Sequence, residues 1–195
     1  MNHLVIMAKA PRAGLVKTRL AKSIGVAEAT RTYRTILSST LRRLGSDPRW
    51  QTWVAVAPDT AAADPVWPET IATIPQGRGD LGARMQRMFD VLPNGPVAII
   101  GTDIPDIPTG SIAGAFQALG SSNCVIGPAP DGGYWLIGQR RRPKILSLFE
   151  GVRWSGPHAM ADTLANMENQ NVATLEERDD VDTISDYLAW RRSRG

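Results

Sequence analysis

Leu4-Val5-Ile6-Met7-Ala8, running directly into Lys9-Ala10-Pro11-Arg12-Ala13-Gly14-Leu15-Val16-Lys17-Thr18-Arg19, is the stretch that decides the fold. A continuous apolar run bounded by charge and proline is what a strand buried on both faces of a parallel sheet requires. Lys9 cuts it short, so it is far too brief for a signal-peptide core or a membrane span. The basic Pro/Gly segment that follows then sits at the carboxyl end of a buried strand, where open α/β sheets bind ligands.

Working outward, the same pattern repeats along the chain. Tyr33, Ile36, Leu37, Leu41 and Leu44 recur at helical spacing from Val26 to Leu44, and Gly45 supplies the stop. Strands are expected at Trp53 to Ala57, Thr70 to Ile74, Val97 to Ile100, Cys124 to Ile126, Tyr134 to Ile137 and Val172 to Leu175. Helices are expected from Leu81 to Leu92, with Asp80 as N-cap and Leu81, Met85, Met88, Phe89 and Leu92 on one face. Others are expected over Thr109 to Leu119, around Pro157 to Met167, and from Thr183, where Thr183 and Asp186 form a pair like a capping box. Strands alternating with helices imply an α/β fold, a three-layer α/β/α sandwich around a mainly parallel, Rossmann-like sheet, as one domain over residues 1–195.

Composition narrows the function classes. A chain of 195 residues that is 43% hydrophobic has enough apolar surface for a sizeable core without disulfides or metal staples. Lys and Arg total 22 against 19 Asp and Glu, a net charge of only +3, so global charge gives little support to nucleic-acid binding. The run Arg140-Arg141-Arg142-Pro143-Lys144 has no interleaved aromatics and reads as a solvated surface. Cys124 is the one cysteine, which excludes an internal disulfide and a Cys-rich zinc site and fits a reducing compartment. A soluble, cytoplasmic protein is the expectation. His3 and His158 form no metal-binding pair, and no Ser/His/Asp signature is present.

Four constellations can carry chemistry. In the first, Lys9, Arg12, Lys17 and Arg19 supply four cations, and Gly14 permits close backbone approach, giving an electropositive cradle for a di- or triphosphate. It is not a Walker loop, because Val16 stands where the glycine before Lys-Thr belongs. The second, Gln76-Gly77-Arg78-Gly79-Asp80-Leu81-Gly82, contains a literal G-x-G-x-x-G, with Asp103 following at the end of another strand. A dinucleotide site built there would leave the basic N-terminal loop without a role. A glycine-lined nucleobase pocket explains the same residues, with Gln76, Gly77, Gly79, Asp80 and Leu81 as its wall.

The third is acidic. In an extended segment, residues two apart point the same way, so Asp180 and Asp182 can present two carboxylates to one hard cation, and Asp103 can complete the set if the fold brings it there. The competing reading is a helix entrance enriched in acids. In the fourth, Asp131-Gly132-Gly133-Tyr134-Trp135, an aromatic pair beside a carboxylate near a strand end can line an acceptor pocket. Trp154 and Trp190 read as packing residues by pattern alone.

Taken together, Lys9-Ala10-Pro11 with Gly14 and Lys17-Thr18-Arg19-Leu20, Gly79-Asp80-Leu81-Gly82-Ala83-Arg84-Met85, Gly101-Thr102-Asp103-Ile104-Pro105, the Gly127 to Gly138 segment and Asp180-Val181-Asp182-Thr183 resemble a bacterial family of GT-A-type glycosyltransferases. That family lies within the nucleotide-diphospho-sugar transferase superfamily. The chain is also similar to guanylyltransferases that activate phospholactate or phosphoenolpyruvate. The resemblance implies a magnesium- or manganese-dependent transferase that joins a nucleotide-activated donor to a small-molecule acceptor, by glycosyl or by nucleotidyl transfer. It implies phosphate contacts for Lys9, Lys17 and Arg19, metal ligands at Asp103, Asp180 and Asp182, and catalysis resting on Lys17, Arg19 and Asp103. Acceptor contacts fall to Asp131, Gly132, Gly133, Tyr134 and Trp154. Two positions depart from the family pattern: Ala13 replaces a common proline before Gly14, and Gly156 stands where threonine often follows Trp-Ser. A non-catalytic nucleotide-binding protein is the competing class.

Overall fold

The computed structural model describes residues 1–192. Seven strands form one sheet: β1 (His3–Lys9), β2 (Gln51–Ala57), β3 (Ala72–Pro75), β4 (Val97–Ile100), β5 (Cys124–Pro128), β6 (Tyr134–Gln139) and β7 (Val172–Thr174). Their order is β3-β2-β1-β4-β6-β5-β7. All pairings are parallel except those of β6, which runs antiparallel to both β4 and β5. The expected mainly parallel sheet is therefore present, and the Asp131-Gly132-Gly133 turn reverses the chain between β5 and β6.

Among the described residues six α-helices surround the sheet or pack on its helices: α1 (Thr18–Ile24), α2 (Val26–Leu44), α3 (Leu81–Val91), α4 (Thr109–Ser121), α5 (Ala159–Ala165) and α6 (Ile184–Arg192). Alternation within β1 shows why both faces must be covered. Leu4, Ile6 and Ala8 pack with Leu37, Leu41 and Leu44 of α2 and with Ile112 and Leu119 of α4, whereas Val5 packs with Met85, Met88 and Phe89 of α3 on the opposite face. With side chains of period two facing helices on each side, the strand has no polar face to offer water. A smaller cluster of Leu20, Ile36, Val181 and Tyr187 fastens α1 and α6 to the edge of α2.

Local signals hold at several helix ends. Asp80 Oδ1 accepts from Ala83 N at 2.8 Å, capping α3. Asp186 Oδ2 accepts from Thr183 N at 2.7 Å, and Asp186 N donates back to Thr183 Oγ1 at 3.3 Å, a reciprocal cap. Three details differ from expectation. Thr18 and Arg19 begin a helix rather than end a loop, because Leu20 is drawn into the α1–α6 cluster. Leu81 is exposed, since it sits at the first turn of α3, beyond the end of the sheet. The helix expected around Pro157 to Met167 shortens to α5.

Candidate active site

The strand order reverses direction between β1 and β4, since β2 and β3 lie to one side of β1 and β4 to β7 to the other. A crevice opens outside the carboxyl ends at such a switch point. A cleft of about 570 Å³ lies there, with Lys9 from β1, Gly101 to Asp103 after β4 and Tyr134 at the start of β6 among its walls.

Lys17 is the residue around which the site closes. Its backbone is left-handed, with φ 47° and ψ 45°, a conformation that non-glycine residues seldom adopt outside strained or functional positions. Its side chain is 2% exposed, and Nζ meets Asp103 Oδ1 at 2.5 Å and Asp182 Oδ1 at 3.0 Å. Burial alone lowers the pKa of an amine, but the carboxylates of Asp103 and Asp182 outweigh it and raise that of Lys17. The amine is thus a fixed cation. Val181 N also donates to Asp103 O at 3.0 Å, so backbone and side chain together dock the segment before α6 onto the end of β4.

The acidic residues converge. Asp180 is partly buried, and its carboxyl is pushed up to about 6, first by burial and then by the neighbouring charges of Asp182 and Asp131, with Asp103 adding to it. Negative charge is therefore in excess over what Lys17 supplies. Among the described residues, no three His, Cys, Asp or Glu side chains are arranged as a ready metal cage. Asp103 and Asp182 do come together, but on Lys17.

The basic loop divides. Lys9 lines the cleft. Arg12 turns away to Asp64 at 3.4 Å, and Arg19 is 72% exposed and 4.0 Å from Asp182. Gly14, with φ 78°, takes the left-handed turn expected of it. From α2, Tyr33 fixes this loop: its Oη accepts from Lys9 N at 2.9 Å and donates to Lys9 O at 2.8 Å. Thr102 Oγ1 donates to Tyr33 Oη at 3.3 Å, tying the ends of β1 and β4. Burial pushes the Tyr33 hydroxyl up to about 12.

The glycine-rich turn is more occupied than its sequence suggests. Gln76 is buried, and its Nε2 donates to Ala8 O at 3.2 Å and Ala55 O at 2.8 Å, while its Oε1 accepts from Arg84 Nη1 at 3.3 Å. Gly77 N donates to Asp59 Oδ1 at 3.0 Å. Gln76 and Leu81 line the cleft, whereas Gly77, Gly79 and Asp80 do not border it. Sequence reading missed Arg84 and Tyr33. Arg84 stands inside a quoted motif, and its helical position one turn after the Asp80 cap was the available signal.

Asp131, Gly133, Tyr134 and Trp154 also line the cleft, and Gly132 does not. Asp131 Oδ1 accepts from Gly133 N at 2.8 Å and so shapes the turn it stands in. Trp154 packs on Phe149 with ring centres 5.9 Å apart, so it serves the core and the cleft at once.

The sequence profile of DUF2064, described as an uncharacterized protein family conserved in bacteria, matches residues 40–156. The chain belongs to the DUF2064 family. That match covers α3 through the Trp154 loop, and so most of the cleft. The chain is similar to a protein of Desulfovibrio desulfuricans G20, provisionally named a nucleotide-diphospho-sugar transferase, with 29% identity, a TM-score of 0.88, and coverage of 99% of this chain and 87% of that one. It also resembles 2-C-methyl-D-erythritol 4-phosphate cytidylyltransferase from Thermus thermophilus, at 18% identity and TM-score 0.59 over 100% of both chains. A manganese complex of Rv0371C from Mycobacterium tuberculosis H37Rv matches at 15% identity and TM-score 0.56, over 98% of each chain. At those two identities the likeness is one of fold. No curated protein matches the sequence. Among the described residues, no helix is long and apolar enough to cross a membrane.

Proposed function

We propose that this DUF2064 protein is a transferase using a nucleotide-activated donor, and specifically a divalent-metal-dependent glycosyltransferase acting on a nucleotide-diphospho-sugar. The observation that carries this reading is the meeting of Lys17, Asp103 and Asp182 at the switch-point cleft, with Asp180 beside them. The likeness to the Desulfovibrio protein supports it.

The donor set suits a hard cation: carboxylate oxygens, in excess of the local positive charge. Magnesium on phosphates takes only one or two protein carboxylates, so a three-ligand cage is not needed. Asp103 with Asp180 or Asp182 would hold Mg2+ or Mn2+, which when bound would neutralise the charge developing on the diphosphate leaving group. Lys17 would keep these carboxylates in place and share their charge, and Arg19 and Lys9 would contact the phosphates from the outer side of the loop. Tyr33 would hold the Lys9 peptide while the phosphates bind. Gln76, Leu81 and Arg84 would face the nucleoside, and Asp131, Gly133, Tyr134 and Trp154 the acceptor.

The pairing of Lys17 and Arg12 with acids favours a diphosphate over a triphosphate donor, since of the four loop cations only Lys9 and Arg19 are left outside short ion pairs. A thermal-shift screen of nucleotide-diphospho-sugars, nucleoside triphosphates and dinucleotides, each with and without Mn2+, tests the reading, because a ligand that binds the native state raises apparent stability. Metal-dependent stabilisation by a nucleotide-diphospho-sugar is expected. Stabilisation by a dinucleotide alone would overturn it.

A further inference from the structure

The sheet order gives the cleft an electrical polarity. On the β3-β2-β1 side, Lys9 follows β1 and Arg84 enters from α3, directly after β3. On the other side Asp103 after β4 and Asp131 in the β5–β6 turn line the cleft, and Asp182, paired with Lys17, and Asp180, within charge range of all three, stand next to them in the segment that follows β7. Of the lysines and arginines that line the cleft among the described residues, Lys17 is held by Asp103 and Asp182, Lys9 ends β1, and Arg84 turns its guanidinium to Gln76, which is itself bonded to the carbonyls of Ala8 and Ala55 on β1 and β2. Arg178, from the segment after β7, is turned to Ser111 and Glu176 and stacks over Trp135 with its guanidinium carbon 5.3 Å from the ring centre.

Lys17 is already engaged by Asp103 and Asp182, and Arg19 stands 4.0 Å from Asp182. Four carboxylates facing Lys17, Arg19 and one divalent ion reach neutrality at most. A phosphorylated or carboxylated acceptor entering this half would find no surplus positive charge, and like charges at close range disfavour binding. Tyr134, Ile137 and Trp154 supply apolar and aromatic surface beside Asp131, a wall suited to a ring face or a carbon skeleton.

We propose that the acceptor is an uncharged or cationic hydroxyl or amine compound, bound against Asp131, Tyr134 and Trp154. The inference rests on the transferase reading above and names the substrate class of its second half. In the transfer, the acceptor's oxygen or nitrogen lone pair forms the new bond to the sugar's anomeric carbon. The bond from that carbon to the diphosphate oxygen breaks, its electron pair leaves with the nucleoside diphosphate, and the acceptor's proton passes to a carboxylate, for which Asp131 is placed.

The test uses the full chain with Mn2+ and the best-stabilising nucleotide from the donor screen. Phosphoenolpyruvate and glucose 6-phosphate, titrated into wild type, should leave Tm and tryptophan emission unchanged, whereas Asp131→Lys should bind phosphoenolpyruvate saturably and shift both readouts. Asp131→Asn, which keeps the side-chain shape, should show a smaller response to phosphoenolpyruvate and guards against a lysine variant that fails to fold. Saturable binding of either anion to wild type, or folded Asp131 variants as blind to phosphoenolpyruvate as wild type, would overturn the acceptor assignment. A protein that responds to no nucleotide in the donor screen would instead refute the transferase reading, so the two failures are distinguishable.

Discussion

Lys17 Nζ and Asp103 Oδ1 lie 2.5 Å apart, joining the basic loop after β1 to the carboxyl end of β4. Asp182 takes the other side of the same amine at 3.0 Å, although 165 residues separate it from Lys17. One buried cation therefore holds three segments of chain in the arrangement the cleft requires.

Replacing Lys17 by Met should lower unfolding stability by about 1–2 kcal/mol. Charge-assisted hydrogen bonds are lost and the acids are left facing each other, but Asp103, with 53% of its side chain exposed, is partly screened by water. Urea denaturation at neutral pH measures this. The double variant Lys17→Met with Arg19→Met should also narrow the protein's preference for nucleoside di- and triphosphates over monophosphates. A full preference retained in a folded double variant would make the loop a solvated surface.

Asp180 gives a pH dependence of unusual sign. Its folded pKa of about 6 lies above the ordinary carboxylate value of 3.8. Between those two values the folded chain holds a proton that the unfolded chain has released. This group's contribution to stability is therefore full below about pH 4 and falls as pH rises towards 6. Asp180→Asn should remove that fall and stabilise the metal-free protein at pH 7 by about 1–2 kcal/mol, allowing for screening of a partly buried group. Denaturation curves from pH 4 to 7 in the presence of a chelator, compared between variant and wild type, check it. A variant no more stable than wild type at pH 7 would count against the crowding of acids.

Gly82 explains how Trp154 reaches the cleft. A Cβ at this position would come 2.8 Å from both Phe149 Cβ and Trp154 Cζ2. Gly82→Ala should therefore cost about 1–3 kcal/mol through overpacking and shift the tryptophan emission. Unchanged emission together with unchanged stability would show that the ring has room to spare.

Much of this was legible in the chain because the signals are local. The strand at Leu4 to Ala8, the helix from Val26 to Leu44 and the caps at Asp80 and Thr183 are read from neighbours a few residues apart, and the structure has each of them. The meeting of Asp103 with Asp182 is open to a reader of the sequence only as a condition on the fold, because spacing carries no distance across so many residues. What escaped the sequence was how the polar groups are already spent. A buried lysine between two aspartates, Gln76 committed to two strand carbonyls, and Gly77 N bonded to Asp59 all depend on which strands lie side by side. Arg84 was hidden differently, since a helical arginine reads as surface until the helix is known to begin at the rim of a cleft.

In the proposed function, Asp103 would hold the metal on which donor binding depends. Isothermal titration of a nucleotide-diphospho-sugar into wild type and Asp103→Ala, each with Mn2+ and with chelator, tests it directly. Wild type should bind the donor only with Mn2+, and the folded variant should lose this metal-dependent binding. Equal donor affinity in wild type and Asp103→Ala, with the same metal dependence, would contradict it.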